Sequence, residues 1–416
     1  MNITENGPVP YGTTTRRRPR WSEIRPLLQL GGLGGDRRER RLRRCLTIDD
    51  LRSLARRRTP TAVFDYVDGG ADDEIALRRA QLAYQRVEFH PHVLRDVSHV
   101  DTSTTILGLP AALPLAFGPT GFTRMMHHAG ERAVVRAAAR AGIPYTLSTM
   151  GTTSAADVME AAPGADVWFQ LYLWRDRGRS TELVQQVRQA GVRTLMLTVD
   201  VPVGGNRRRD ARSGLTIPPT LTWRTLLQIA RYPSWWGNVI TTEPLTFASF
   251  SDAPDTLAEM FATMFDPAMT LDDLGWLRSL WDGPIVIKGV QRVDDAVALL
   301  NAGADALVLS HHGGRQLDRA VAPLELLPQV VQAVGDRAEI YVDSGVRSGA
   351  DVAAAVALGA RACLVGRAYL YGLMAGGERG VDRAAELLTG QFRQTMQLLG
   401  ARTVADLTED LVSLRR

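Results

Sequence analysis

Lysine is almost missing from this chain: of its 49 basic residues only Lys288 is one, and arginine supplies the rest. Cysteine is equally scarce. Cys45 and Cys363 lie far apart without metal-type spacing, which argues against both a disulfide framework and a zinc site. No apolar run approaches the roughly eighteen residues of a membrane-crossing helix, and residues 1–20 lack a signal-peptide core. A reducing, cytoplasmic setting is therefore expected. No Gly-x-Gly-x-x-Gly follows a strand and opens a helix, so a nicotinamide dinucleotide on a Rossmann unit is unsupported.

What is present is ordinary globular composition, 45% apolar and 23% charged, in 416 residues. The net charge of +4 is unevenly spread, because "RRRPR", "DRRERRLRR" and "ARRR" crowd into residues 16–58. Residues 1–45 read as a flexible basic arm. A sharper reading has the arm touch anionic lipid on the inner face of the cell membrane, or an acidic partner. No run of aromatics interleaves with these arginines, so nucleic acid is not an expected partner.

From about residue 46 a helical lead-in ("TIDDLRSLARRRTPTAVFDYV") precedes eight strand-like runs. They are 113–119, 144–149, 167–172, 194–200, 284–289, 306–312, 340–345 and 362–367, each apolar nearly throughout, as parallel strands covered on both faces are. Ala/Leu/Val-rich helical stretches separate most of them, several stopping at glycine. Eight such units predict an α/β fold of the TIM (β/α)8 barrel type, one domain over 46–416; a doubly wound sheet rarely needs so many. A long insertion at about 208–275 falls between the fourth and fifth strands. Its "PSWWG" suits a packing lid or a membrane-surface contact.

Polar and ionisable residues gather where these runs stop: Pro119-Thr120-Gly121, Ser148, Gln170 and Tyr172, Thr198 and Asp200, Lys288, Ser310, Asp343-Ser344-Gly345, Gly366-Arg367. A β/α barrel brings all such ends to one face, where its enzymes work. The glycines of "DSGVRSGAD" and "VGRA" suit a phosphate, with Arg347 and Arg367 as charge partners. Flavin mononucleotide (FMN) fits the rest: Ser148, Gln170 and Thr198 offer hydrogen bonds to its ring, and Lys288 a cation for its reduced form. In "LVLSHHGGRQLD", His312 can act as a base with Asp200 as partner, while Arg315 and Arg207 can fork a carboxylate. His311 reads as a hydrogen-bonding residue behind the flavin. Adjacent strand residues face opposite sides, so His127-His128 and His311-His312 do not make a metal set, and no metal is expected.

Taken in order, "FDYVDGGADDE", "GPTGF", "WFQLY", "LTVDVPV", "VIKGV", "SHHGGRQLD", "DSGVRSGAD" and "GRAYLYG" resemble the FMN-dependent 2-hydroxy-acid oxidase and dehydrogenase family. The likeness is greatest to its bacterial respiratory L-lactate dehydrogenase branch. The resemblance implies that Tyr66 and Tyr172 contact substrate, that Arg207 and Arg315 hold its carboxylate, and that His312 is the base, oriented by Asp200. It also implies flavin contacts from Pro119, Thr120, Gly121, Ser148, Gln170, Thr198, Lys288, Ser310 and the stretch Asp343 to Arg367. The expected reaction is oxidation of an (S)-2-hydroxy acid, L-lactate first, with electrons passed to a quinone or another carrier. The alternatives are an oxidase or monooxygenase using O2, and a flavin-binding protein with little turnover. A tetramer is the usual assembly where the resemblance leads. Two positions depart from the pattern: His311 stands where the family carries asparagine, and Gly121 where other members carry alanine.

Overall fold

All eight apolar runs form parallel strands. The computed structural model describes residues 17–25, 36–214, 230–243, 245, 247–248 and 264–415. Among them are β1 (Val87–Phe89), β2 (Thr104–Ile106), β3 (Leu109–Ala111), β4 (Leu115–Phe117), β5 (Tyr145–Ser148) and β6 (Val167–Leu171). They continue with β7 (Thr194–Thr198), β8 (Ile285–Val290), β9 (Ala306–Leu309), β10 (Glu339–Val342), β11 (Ala362–Val365) and β12 (Val412–Leu414). Strands β4 to β11 pair in chain order, and β11 closes on β4. This is a TIM barrel.

Side chains on a strand alternate between its faces, and that rule sorts the barrel residues. Ala116, Trp168, Met196, Val286, Val308, Tyr341 and Leu364 pack together in one apolar cluster, the barrel interior. Their neighbours Phe117, Phe169, Leu197, Ile287, Leu307, Ile340 and Cys363 belong to a second cluster shared with the surrounding helices. Continuing the alternation upward, the next inward positions are Ser148, Gln170, Thr198, Lys288, Ser310, Asp343 and Gly366. A polar layer thus tops an apolar plug. Below, the hairpin of β2 and β3 turns through Leu107 and Gly108, both at positive φ, and sends Ile106 and Ala111 into the interior cluster. Neither this hairpin nor the antiparallel pair of β1 with β12 was apparent as strand in the sequence.

The lead-in comprises helices Ile48–Arg58, Thr61–Asp68 and Ile75–Gln85, the first opened by a capping box of Thr47 and Asp50. Ordered structure begins before residue 46. Arg37–Arg43 is helical, and its Leu42, 4% exposed, packs where Gly376 leaves room. Residues 1–16 and 26–35 of the basic arm lie outside the described residues, as do 215–229 and 249–263 of the insertion. Within the insertion, helix Pro233–Ile240 turns both tryptophans inward, and Trp235 Nε1 donates to the Met125 carbonyl at 3.1 Å. The pair therefore serves packing, as the lid reading expected. No helix among the described residues is long and apolar enough to cross a membrane.

Candidate active site

Above the polar layer lies a cleft with about 1290 Å³ of empty volume, counting the part open to solvent. Every site residue singled out in the sequence lines it except Asp200 and Ser310, which stand directly behind. His311 is turned away from it and is 1% exposed, so the turn after β9 presents one imidazole to the cleft.

That imidazole is His312. Its Nδ1 lies 3.0 Å from Asp200 Oδ1, whose side chain is fully buried. With the Nδ1 proton given to Asp200, the Nε2 lone pair is free to accept a proton. A bulge in β8 makes the room: Gly289 has φ +111°, and a Cβ there would stand 2.7 Å from Asp200 Cβ. The turn carrying His312 is left-handed for three residues running, with φ of 58°, 64° and 73° at His312, Gly313 and Gly314. Such backbone needs outside support. Ser310 Oγ accepts from the His312 amide (3.0 Å), and Ser344 Oγ from the Gly313 amide (3.0 Å).

Lys288 is 5% exposed, with Nζ 2.8 Å from Asp343 Oδ2 and 2.7 Å from Ser310 Oγ. Burial opposes its charge, but the carboxylates of Asp343 and Asp200 win and hold it above a lysine's ordinary pKa. Burial likewise opposes ionisation of Asp343, yet Lys288 holds that carboxyl below the usual range. The cleft floor is therefore charged and paired.

At the other end the balance is positive. The Arg207 and Arg315 guanidiniums sit 5.5 and 4.9 Å from the centre of the Tyr66 ring. Burial first, and the charge of Arg207 second, push Arg315 down to about 10. Its hydrogen bonds go to the Tyr66 and Gly69 carbonyls. Two guanidiniums on one ring, the charge of Arg315 disfavoured by burial, form a ready seat for a carboxylate. Tyr172 closes the side, its ring edge-on to Phe265 at 5.4 Å. Burial raises its phenol pKa, and the nearby Asp200 adds to the effect.

Several side-chain polar atoms at the cleft are buried without partners: Gln170 Nε2, Thr198 Oγ1 and Arg347 Nε. Buried polar groups are ordinarily satisfied, so these mark where a polar ligand belongs. With Lys288 below, the donor set is one that FMN would fit, amide, hydroxyl and ammonium toward its ring and Arg347 toward its phosphate. Arg367 differs from expectation. Its Nε, Nη1 and Nη2 already bind the Val67, Gly313 and Gly69 carbonyls at 2.8 Å each. It clamps the lead-in helix to the strand-end turn and leaves Arg347 the more open cation.

Groups that carry no functional signal in the sequence hold these pieces together. Gln316 bridges the Val203 carbonyl (3.0 Å) and the Gly205 amide (2.9 Å), setting the loop that carries Arg207. Asp318 accepts from the Asp73 and Ala76 amides (3.1 and 2.7 Å). Both belong to the quoted "GGRQLD", so their position was visible although their partners were not. Met150 and Phe265 also line the cleft. Met150 fills the space beside Gly121, where a Cβ would meet Met150 Cβ at 2.7 Å.

A barrel with this polar layer, base and paired guanidiniums defines a mononucleotide-binding oxidoreductase class. Comparison with known proteins gives the family. Residues 55–414 match the FMN-dependent dehydrogenase family, and the chain belongs to it. A Mycobacterium tuberculosis protein named "Putative L-lactate dehydrogenase" is 52% identical over 402 residues, covering 96% of this chain and 97% of that one. The L-lactate dehydrogenase of Caulobacter vibrioides is 42% identical over 373 residues, covering 88% and 97%. Among solved structures, the monotopic membrane protein (S)-mandelate dehydrogenase superposes with a TM-score of 0.85 at 36% identity, covering 89% of this chain and all of that one. The protein is thus an FMN-dependent 2-hydroxy-acid oxidoreductase.

Proposed function

We propose that the protein oxidises L-lactate to pyruvate and passes the electrons to a quinone or similar carrier. The observation that carries this reading is that His312, its Nδ1 3.0 Å from Asp200, lines one cleft with Arg207 and Arg315. Arg207 and Arg315 hold the substrate carboxylate, and Tyr66 and Tyr172 fix its orientation. His312 Nε2 takes the hydroxyl proton, and Asp200 stabilises the imidazolium that results. Lys288 keeps positive charge under the ring site. FMN, when bound, supplies the acceptor for the electrons leaving C2.

The lactate assignment is supported by the names of the curated relatives. An aromatic 2-hydroxy acid is the second reading, favoured by the likeness to mandelate dehydrogenase. The likeness to that monotopic membrane protein supports a peripheral position on the inner membrane face, where a quinone would be met. Four copies per assembly is the state we expect in solution.

The test is an anaerobic spectral titration of the purified yellow protein with L-lactate, D-lactate, glycolate and (S)-mandelate. Bleaching by L-lactate at the lowest concentration is expected, and a spectrum unmoved by all four acids would end the proposal. His312→Ala should keep its flavin yet reduce it ~10²–10⁴-fold more slowly, as loss of a general base implies. Oxygen uptake set against dye reduction then identifies the acceptor.

A further inference from the structure

His311 takes no part in the chemistry above, yet it is among the most enclosed polar residues of the strand ends, 1% exposed. Its Nδ1 accepts the Gly314 amide at 2.9 Å, an amide that also reaches the His311 carbonyl at 3.0 Å. An accepting Nδ1 places the ring proton on Nε2, and that atom is buried without a partner. A side chain enclosed at the cost of one unpaired N–H must return something elsewhere. What it touches is the left-handed turn 312–314, in which His312 is a non-glycine residue at positive φ.

The turn has little other freedom. A Cβ on Gly314 would meet the Leu77 amide nitrogen at 2.6 Å, and the Gly314 carbonyl accepts the Ala71 amide at 2.7 Å. His311 therefore caps, from its buried side, a turn that the lead-in presses from the other side. We propose that His311 is a positioning residue: its neutral imidazole latches the turn that aims His312 and Arg315, and its protonation releases that latch. This rests on the proposed role of His312 for its catalytic readout, but the latch itself does not.

Protonation removes the Nδ1 lone pair and hence the side-chain bond to the Gly314 amide, leaving that amide only the His311 carbonyl. The charged groups bearing on the ring are Asp343 at the end of β10, which favours the proton, and Lys288 of β8 and Arg367, which oppose it. Burial is the largest influence and also opposes it, so the ring's pKa lies below the ordinary histidine value and the latch holds at neutral pH.

Three variants test this. Asparagine at 311 keeps a carbonyl oxygen for the Gly314 amide but cannot titrate; leucine keeps the bulk and removes the acceptor. In protein without substrate, amide exchange over residues 308–318, read by mass spectrometry, should quicken at least ~10-fold in His311→Leu and stay near wild type in His311→Asn. With substrate, kcat/KM should fall ~10–100-fold in His311→Leu, as a displacement of about 1 Å implies. In His311→Asn it should hold within ~3-fold, with the acid limb of its pH profile less steep because one of two protonations is gone. His311→Gln, with a longer reach to the same amide, should lie between the two. Wild-type exchange in His311→Leu would overturn the proposal, and so would a His311→Asn enzyme as impaired as His311→Leu with its acid limb as steep as in wild type. Should no 2-hydroxy acid reduce the wild-type flavin, the functional reading fails while the exchange data still judge the latch.

Discussion

Lys288 shows what a single residue choice can decide. In a chain that otherwise uses arginine, this buried site between Ser310 and Asp343 takes the one compact ammonium. A guanidinium is planar, wider and forked, and does not fit a point-charge position closed by an inward-facing layer. Lys288→Arg should fold but lose flavin, seen as a weaker 450 nm band per protein after gel filtration. Lys288→Met would leave the Asp343 carboxylate buried and uncompensated. A loss of about 3–5 kcal/mol in denaturant unfolding is expected, and Lys288→Met with Asp343→Asn should regain much of it. If the double variant is no more stable than the single one, the pair is not coupled as drawn.

Among the elements, helix Thr61–Asp68 matters most to the site although it belongs to no strand. It carries Tyr66 to the cleft and is fastened at its last residue. Asp68, 5% exposed, accepts from both Nε (2.5 Å) and Nη2 (2.9 Å) of Arg52, from Arg209 Nη1 (2.8 Å) and from the Tyr371 hydroxyl (2.8 Å). Burial alone would raise this carboxyl's pKa, but Arg52, Tyr371 and Arg209 together hold it well below the ordinary range. Its stabilising contribution is therefore complete above about pH 4, the unfolded value, and fades as pH falls toward the lower folded one. Asp68→Ala should cost about 2–4 kcal/mol at neutral pH, less than a fully buried pair because Arg52 and Arg209 are partly exposed. It should also raise KM more than it lowers kcat, because Tyr66 loosens while His312 and Asp200 stay. Unchanged steady-state kinetics in a folded Asp68→Ala protein would separate this helix from substrate binding. The far side of the insertion is fastened in the same manner, Arg177 bridging Asp266 (2.8 Å) and Asp273 (2.7 Å) beside the Phe265 that lines the cleft.

For the molecule as a whole, the titrating groups argue for stability that declines on the acid side in two stages. Burial first, then His128 and Arg38, depress His127 to about 4. The unfolded chain takes up that proton near pH 6.5, so stability falls as pH drops from about 6.5 toward 4, by about 2–3 kcal/mol for this group. His311 adds in the same direction, and Asp68 and Asp343 follow below about pH 4. Thermal scans should show Tm falling below about pH 6.5, and His127→Phe should flatten the first stage; a flat Tm from pH 7 to 5 would contradict it. The eight barrel strands were legible because each is buried on both faces and so apolar throughout. The hairpin of β2 and β3 and the pairing of β1 with β12 were not, since strands of three residues carry no usable period. The docked helix Arg37–Arg43 was hidden for another reason: its seven residues, five of them arginine, bury one leucine against a glycine distant in the chain. Of the site, the residue types at the strand ends were readable, whereas the ties from Gln316, Asp318 and Arg367 were not, because each joins segments far apart in sequence. By itself the sequence determined the barrel, its polar rim and the kinds of group placed there, since strand alternation and burial are local patterns. Only the tertiary structure decided that His312 meets Asp200, that His311 is buried away from the cleft and that Arg367 serves as a clamp, because those depend on which distant backbones approach and how closely.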